Sequence, residues 1–232
     1  MTVNVSDWKG RQAPSPLEGE CIRSMSRRQI EDRLEELGDL YAETSGGDAR
    51  AWNQGRKLFL RRLGDEARRP GFALLVAERS GLARQRGVDG AVGAGDDLRR
   101  EGSFVLTGCA YGFPVRADGP WWWGLDGHLP GALLGLATAG RLFAISRIVV
   151  HSQVRSRNQG RDWNLARRLQ RRLLADHAAG LAGHPAVLGV TLVGRGDRVA
   201  VRELQSWGWH SVTADTRDAR PWAPCRALII ES

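Results

Sequence analysis

The stretch from residue 148 to residue 161 combines residue types suited to binding a phosphorylated ligand. It begins with an apolar, β-branched run typical of a buried strand, and the polar residues Arg155–Gly160 then predict a loop that opens directly into a helix. Backbone N–H groups at the start of a helix have no internal acceptor and lie at the positive end of its dipole. Arg155, Arg157 and Arg161 add guanidinium groups, which bind phosphate oxygens in a forked geometry. The segment therefore predicts a site for a diphosphate or a phosphorylated cofactor.

A second group of candidate residues precedes that stretch and contains Trp121, Trp122 and Trp123. Neighbouring residues on a strand point to opposite faces, so three consecutive tryptophans cannot all enter one core. They either seal a loop onto the domain or form an aromatic wall of a ligand pocket. His128 follows closely, and with Asp126 to orient it this imidazole is a candidate general base; a surface histidine is the alternative.

Ser146 is a polar residue within an otherwise apolar strand, close to Ile145 and Ile148. An outward-facing position on the strand explains it. Binding of a catalytic water is the second interpretation, and it makes Ser146 another candidate for moving a proton.

The elements that must position these residues follow from hydrophobic spacing and capping signals. Ser26 and Gln29 form a capping-box pattern at the start of a first helix, and a second helix begins near Asp48. The remaining pattern predicts strands over 72–77, 104–113, 142–150, 186–193, 211–214 and 226–230, and helices over 161–179 and 197–206. Alternating strands and helices of this kind predict a mixed α/β domain.

This order gives a simple organisation. Residues 1–24 have no hydrophobic period and predict a flexible lead-in, while residues 25–232 form a single domain. Residues 114–141, which contain the tryptophans, form an insertion within that domain.

Composition excludes several classes of protein. The chain has 232 residues and a net charge of +8, and its only lysines are Lys9 and Lys57, so arginine supplies nearly all the positive charge. No run of 18 apolar residues predicts a membrane span, and the first 21 residues lack the apolar core of a signal peptide. The widely spaced Cys21, Cys109 and Cys225 make neither a disulfide framework nor a zinc site. We expect a reduced, cytoplasmic protein without a metal.

Two segments resemble the GCN5-related N-acetyltransferase (GNAT) superfamily. Its acyl-CoA loop has the pattern R/Q-x-x-G-x-G/A after a strand ending in V-x-P. Here Val150 takes the Val position, Ser152 the Pro, Arg155 the R/Q and Gly160 the second Gly. Asn158 stands in place of the first Gly, and asparagine enters the left-handed backbone region more readily than other residues with a side chain.

The second segment resembles the family pattern N-x-x-A-x-x-L-Y-x-x-x-G-F. Asp197 takes the Asn position, and Ala200, Gly208 and Trp209 follow at matching spacing. Leu204 stands where the family often has the tyrosine that protonates the leaving thiolate, and a leucine cannot donate a proton.

The resemblance implies a GNAT-like acyl-CoA N-acyltransferase fold, with a central mixed sheet flanked by helices. It also implies transfer of an acetyl or longer acyl group from acyl-CoA to a primary amine by direct attack in a ternary complex. The acceptor would be a peptide or an amine of specialised metabolism bound near Trp121–Trp123, and a backbone N–H near Val149 would stabilise the oxyanion. The implied cofactor-binding residues are Ile148, Val149, Val150, Arg155, Ser156, Arg157, Asn158, Gln159, Gly160, Arg161 and Asp197.

Alternatives remain open at this point. An acidic acyl carrier protein could deliver the acyl group to an arginine-rich rim. Leu204 and Asn158 also fit an acyl-CoA binder without catalytic activity. A nucleic-acid-binding protein is the third alternative, although the tryptophans do not interleave with the arginines of residues 161–172. The sequence does not distinguish a monomer from a homodimer.

Overall fold

The fold is built on a mixed sheet covered by helices. The computed structural model describes residues 20–45, 48–80, 104–116, 131–157, 164–183, 186–194, 196–212 and 225–231. Its strands are β1 (Glu20–Ser24), β2 (Ala73–Ser80), β3 (Phe104–Pro114), β4 (Leu142–Val150), β5 (Leu188–Gly194), β6 (His210–Ser211) and β7 (Cys225–Glu231). Its helices are α1 (Arg27–Asp32), α2 (Leu34–Ser45), α3 (Ala49–Glu66), α4 (Gly131–Thr138), α5 (Ser152–Arg157), α6 (Leu165–Ala179) and α7 (Arg198–Ser206).

The seven strands are ordered β1-β2-β3-β4-β5-β7-β6. Neighbouring strands are antiparallel except β4 and β5, which are parallel. This arrangement confirms the predicted mixed α/β class.

Alternating side chains give the central strands a separate core on each face. Leu74 and Val76 of β2 pack in a cluster with α2 and α3, whereas Leu75 between them packs with α6. This period of two is expected for a strand buried on both sides. The helices bury apolar stripes at helical spacing, such as Leu165, Leu169 and Leu173 on α6. The central strands are therefore fixed between two helical layers.

Side-chain caps set the starts of the helices, as the sequence predicts for two of them. Gln29 N–H donates to Ser26 Oγ at 3.3 Å, and Ser26 N–H donates back to Gln29 Oε1 at 2.8 Å, which completes the capping box. Asp197 caps α7 by accepting from Ala200 N–H at 2.9 Å. Both predicted caps are confirmed.

Several elements differ from the prediction: the first helix is divided into α1 and α2, β2 extends to Ser80, and α4 lies within the predicted insertion. Residues 20–24, placed in the flexible lead-in, form β1, which pairs with β2. The predicted loop over Arg155–Gly160 is wrong for its first three residues, because α5 is a helix that ends at Arg157. Helix α6 begins at Leu165 instead of Arg161, since Asn164 is its N-cap and accepts from Arg167 N–H at 2.8 Å. Elements as short as β1 and α5 span too few residues to show a hydrophobic period.

Candidate functional site

The sheet opens between its two parallel strands. Pairing of β4 with β5 joins only Leu142–Ala144 to Leu188–Val190 in the described residues. Beyond these pairs the two strands enclose a cavity of about 390 Å³, lined by residues 144–148 of β4 and 191–194 of β5. Backbone edges that would pair in a regular sheet therefore face this cavity, which we call the wedge.

A β-bulge at Ser146 turns β4 at the mouth of the wedge. Tyr111 of β3 lies opposite Arg147, and Gly112 lies opposite Ile145, so Ser146 is an extra residue on β4. Bulges bend a strand and increase its twist. Ser146 is half-buried and lines the wedge. The structure thus places Ser146 in the cavity, and its role in proton transfer stays a prediction.

Helix α7 and the turn after it form one wall of the wedge. Asp197, Ala200 and Leu204 line it, so the residues matched to the second family pattern are brought together there. Leu204 presents hydrocarbon at this wall. The turn contains Gly208 at a φ of 96°, a left-handed backbone conformation that favours glycine.

Gln170, which the sequence analysis missed, joins α6 to that turn. It is fully buried; its Oε1 accepts from the indole Nε1–H of Trp209 at 2.9 Å, and its Nε2 donates to the carbonyl of Trp207 at 3.0 Å. Both tryptophans line the wedge. A polar residue beside the leucine stripe of α6 was the available signal, because buried amides need partners.

A second cavity of about 270 Å³ lies at the N-terminus of α6. It is lined there by Asn164, Leu165 and Ala166, and also by Arg155 and Arg202. The first N–H groups of a helix have no intrahelical acceptor, so this cavity combines backbone donors, the positive end of a dipole and two guanidinium groups. Glu203 also lines it and pairs with Arg155 at 3.7 Å. The site is suited to an anion, and Arg202 is a member that the sequence analysis did not predict.

The face of the wedge nearest α3 carries a separate polar group. Arg62 and Arg147 both line the cavity there. The Arg62 Nε–H donates to Oε1 of the buried Glu66 at 2.8 Å. Burial raises the pKa of the neighbouring Tyr111 hydroxyl above its usual value, and the charges of Arg62 and Arg147 partly oppose this shift. The sequence analysis missed this group, since its members come from different elements.

The predicted cofactor residues have different positions in the structure. Ile148 lines the wedge and Val150 lines the second cavity, whereas the Val149 side chain is buried against α2 and α3. Ser156 and Arg157 lie in α5, and their side chains are outside the description. Other predicted site residues lie outside the described residues: Trp121, Trp122, Trp123, Asp126, His128, Asn158, Gln159, Gly160 and Arg161.

Among the described residues, no group of three or more histidine, cysteine, aspartate or glutamate side chains is placed to hold a metal ion. No helix among the same residues is long and apolar enough to cross a membrane.

Comparisons with known proteins give matches in structure alone. No family model matches the chain, and no curated protein is similar to it in sequence. The PaiA N-acetyltransferase of Thermoplasma acidophilum, solved with coenzyme A, is 11% identical; the match covers 92% of this chain and 99% of that one, with a TM-score of 0.50. An acetyltransferase assigned to the GNAT family from Desulfovibrio desulfuricans is 12% identical. The match covers 92% of this chain and 98% of that one, with a TM-score of 0.47. The chain has the GNAT fold. A spermidine N-acetyltransferase of Vibrio cholerae matches this GNAT fold over 92% and 94% of the chains, with 12% identity and a TM-score of 0.44.

Proposed function

We propose that the protein is an N-acyltransferase that moves an acetyl or longer acyl group from acyl-CoA to a primary amine. One observation carries the proposal: the open edge of β4 leads from the wedge, at residues 144–148, to the anion-suited cavity, which Val150 lines. An extended thioester with a diphosphate at one end fits such a path. The GNAT fold, shared with an N-acetyltransferase solved with coenzyme A, supports this assignment.

The diphosphate binds at the N-terminus of α6 in this proposal. Helix α6 begins at Leu165 and is capped by Asn164, so its first N–H groups lie in this cavity. Arg155 and Arg202 supply guanidinium groups to the same cavity.

The pantetheine arm runs along β4 towards the bulge. The edge of β4 beyond Ala144 has no described pairing with β5. Its backbone groups can therefore pair with the amides of the arm, as a neighbouring strand would. The thioester then lies in the wedge near Ser146, between Leu204 on one side and Arg147 on the other.

Transfer proceeds by direct attack of the neutral amine on the thioester carbonyl, which forms a tetrahedral oxyanion and then releases the CoA thiolate. The protein holds the two reactants together, and a backbone N–H near Val149 stabilises the oxyanion. Ser146 acting through a water, or His128, removes the ammonium proton. Since Leu204 cannot donate a proton, we assign protonation of the thiolate to water, which regains the proton that the nitrogen loses as the amide forms.

The test combines binding with turnover. Acetyl-CoA should raise the melting temperature, and release of free thiol should then depend on an added amine. Stabilisation without thiol release from any amine in a broad panel would instead indicate a non-catalytic acyl-CoA binder. If thiol is released only from an acylated carrier protein, that carrier protein and not CoA is the acyl donor. If no acyl-CoA and no acylated carrier protein stabilises the chain, the proposal is wrong.

A further inference from the structure

Arg147 is an exposed charged residue on a central strand of the sheet. It lies on the central strand β4 opposite Tyr111, whose side chain is buried in the cluster with α2 and α3. Val149, two residues along the strand, packs in the same cluster. Opposed residues and residues two apart share one face of a sheet, so Arg147 projects on the α3 side. It reaches the wedge from the side opposite α6 and α7.

The side chain of Arg62, on α3, lines the same cavity as Arg147. Both guanidinium groups line the same wedge, and both influence the titration of the Tyr111 hydroxyl between them. Arg62 has one carboxylate partner, Glu66. Arg147 has no salt bridge within the described segments. In the described segments the α3 side of the wedge thus carries two positive groups and one negative group, while Asp197 and Glu203 line the wedge on the side of α7.

Two buried polar atoms beside these arginines also have no hydrogen-bond partner among the described residues. They are the hydroxyl oxygen of Tyr111 and Oε2 of Glu66. Buried polar atoms of this kind are normally satisfied by a partner, a water or a ligand.

We propose that the acceptor amine carries a carboxylate a few bonds from its nitrogen, and that Arg62 and Arg147 bind this carboxylate. The inference rests on the proposed function, since it names the acceptor class for the same wedge. A carboxylate offsets the excess positive charge, and guanidinium groups bind it in a forked geometry. Polyamines, which carry only positive charge, should be poor acceptors.

The test compares acceptors that differ only in the carboxylate. Dipeptides with a free C-terminal carboxylate and the same dipeptides as C-terminal amides are assayed by thiol release from acetyl-CoA. We expect the free acids to have the higher kcat/KM. Arg147→Gln and Arg62→Gln should each raise the KM for the free acids about 10- to 100-fold, as expected for a lost charged hydrogen bond, and change the KM for the amides much less. Arg147→Lys should retain part of the preference.

Arg172→Gln is the matched control, because Arg172 is exposed on α6 and pairs with Asp176. It should behave as the wild type with both acceptors. Equal use of acids and amides by the wild type, or an unchanged preference in both arginine variants, would refute the carboxylate site while thiol release still supported the acyltransferase.

Binding gives a readout that does not require turnover. With CoA at saturating concentration, the free-acid dipeptide should raise the melting temperature and the amide should not. Equal shifts, or none from either, contradict the carboxylate site. If no acyl-CoA and no acylated carrier protein raises the melting temperature, the proposed function itself is wrong, and this result is distinct from failure of the carboxylate site.

Discussion

The three cysteines show how burial controls the chemistry of single residues. Cys21 is exposed, Cys109 is fully buried and Cys225 is half-buried in the wedge. Burial raises the pKa of the Cys109 thiol to about 12. Only a thiolate reacts readily with alkylating reagents, so Cys109 should be inert in the folded protein.

Alkylation should therefore report on occupancy of the wedge. At acetyl-CoA concentrations ten times Kd, alkylation of Cys225 should slow about tenfold by mass action, while that of Cys21 should not change. Mass spectrometry of the modified peptides measures both rates in one sample, with Cys21 as the internal control. An unchanged rate at Cys225 under conditions where acetyl-CoA stabilises the protein would contradict a thioester lying in the wedge.

Glu78 gives a prediction on pH and stability. Its side chain is buried on β2 and forms ion pairs with Arg23 and Arg33, and these hydrogen bonds lower its pKa. Glu78→Gln leaves two guanidinium groups without this carboxylate and should destabilise the fold at pH 7 by about 3 kcal/mol.

A lowered pKa stabilises the folded state above the unfolded-state pKa, and that stabilisation is lost as the pH falls through the folded value. The unfolding free energies of wild type and Glu78→Gln, measured by urea denaturation, should therefore begin to converge as the pH falls below about 4. Glu36→Gln, at an exposed partner of Arg33, should cost much less. If the unfolding free energies of wild type and Glu78→Gln differ by the same amount at all pH values, this account is wrong.

At the scale of elements, the wedge depends on how α6, α7 and β4 are fastened. The Gln170 side chain links α6 to the turn after α7 by hydrogen bonds to Trp207 and Trp209. The bulge at Ser146 sets the other side of the wedge. Each side can be perturbed separately.

Gln170→Leu should move the α7 wall. The substitution leaves the Trp209 indole and the Trp207 carbonyl without a buried partner, which costs about 2 kcal/mol of stability. We also expect the KM for acyl-CoA to rise several-fold with little change in kcat. Gln205→Leu, on the exposed side of α7, is the control. A normal KM in a destabilised Gln170→Leu variant would show that Gln170 has only a structural role.

Gly112→Ala should disturb the bulge. A Cβ at this position would overlap the carbonyl oxygen of Ala144, the last β4 residue paired with β5. Overpacking against backbone costs about 3 kcal/mol or more. Gly64→Ala on α3 is the control, because a Cβ there has no heavy atom within 4 Å and should stabilise the helix by about 0.5–1 kcal/mol. Equal melting temperatures of the two variants would contradict the close approach at Gly112.

At the scale of the whole molecule, residues from both faces of the sheet line the wedge. Helix α7 and the turn after it line it on one face, and Arg62 of α3 reaches it on the other. In the proposed reaction, donor and acceptor would approach the open edge of β4 from these two faces. The proposed direct attack uses no covalent intermediate with the protein, so we expect both substrates to be bound at the same time.

Steady-state kinetics test this arrangement. Double-reciprocal plots at several fixed acceptor concentrations should intersect, as expected for a ternary complex. Parallel lines, together with an acetylated residue such as Cys225 in the absence of acceptor, would show a double-displacement reaction instead. Cys225→Ser should keep its activity if attack is direct.

Local patterns in the sequence were sufficient to predict many of the helices and strands of this molecule. Strand β4 was predicted with its observed bounds, and Ser26 and Asp197 were recognised as caps, because capping and hydrophobic period depend on neighbouring residues. The arginine charge and the two family-like segments also predicted the fold class and a phosphate-suited helix start. The position of that start was four residues too early, since Arg161 and Asn164 are both plausible from composition alone.

The tertiary structure decided what no local pattern contains. The wedge exists because β4 and β5 diverge after Ala144, and this depends on a strand register set by residues far apart in the chain. Arg62 and Arg147 come from different elements and meet only in the folded sheet. Sequence by itself therefore determined most of the elements and predicted a phosphorylated ligand at the α6 terminus. Long-range packing determined where the sheet opens and which charged residues line the opening.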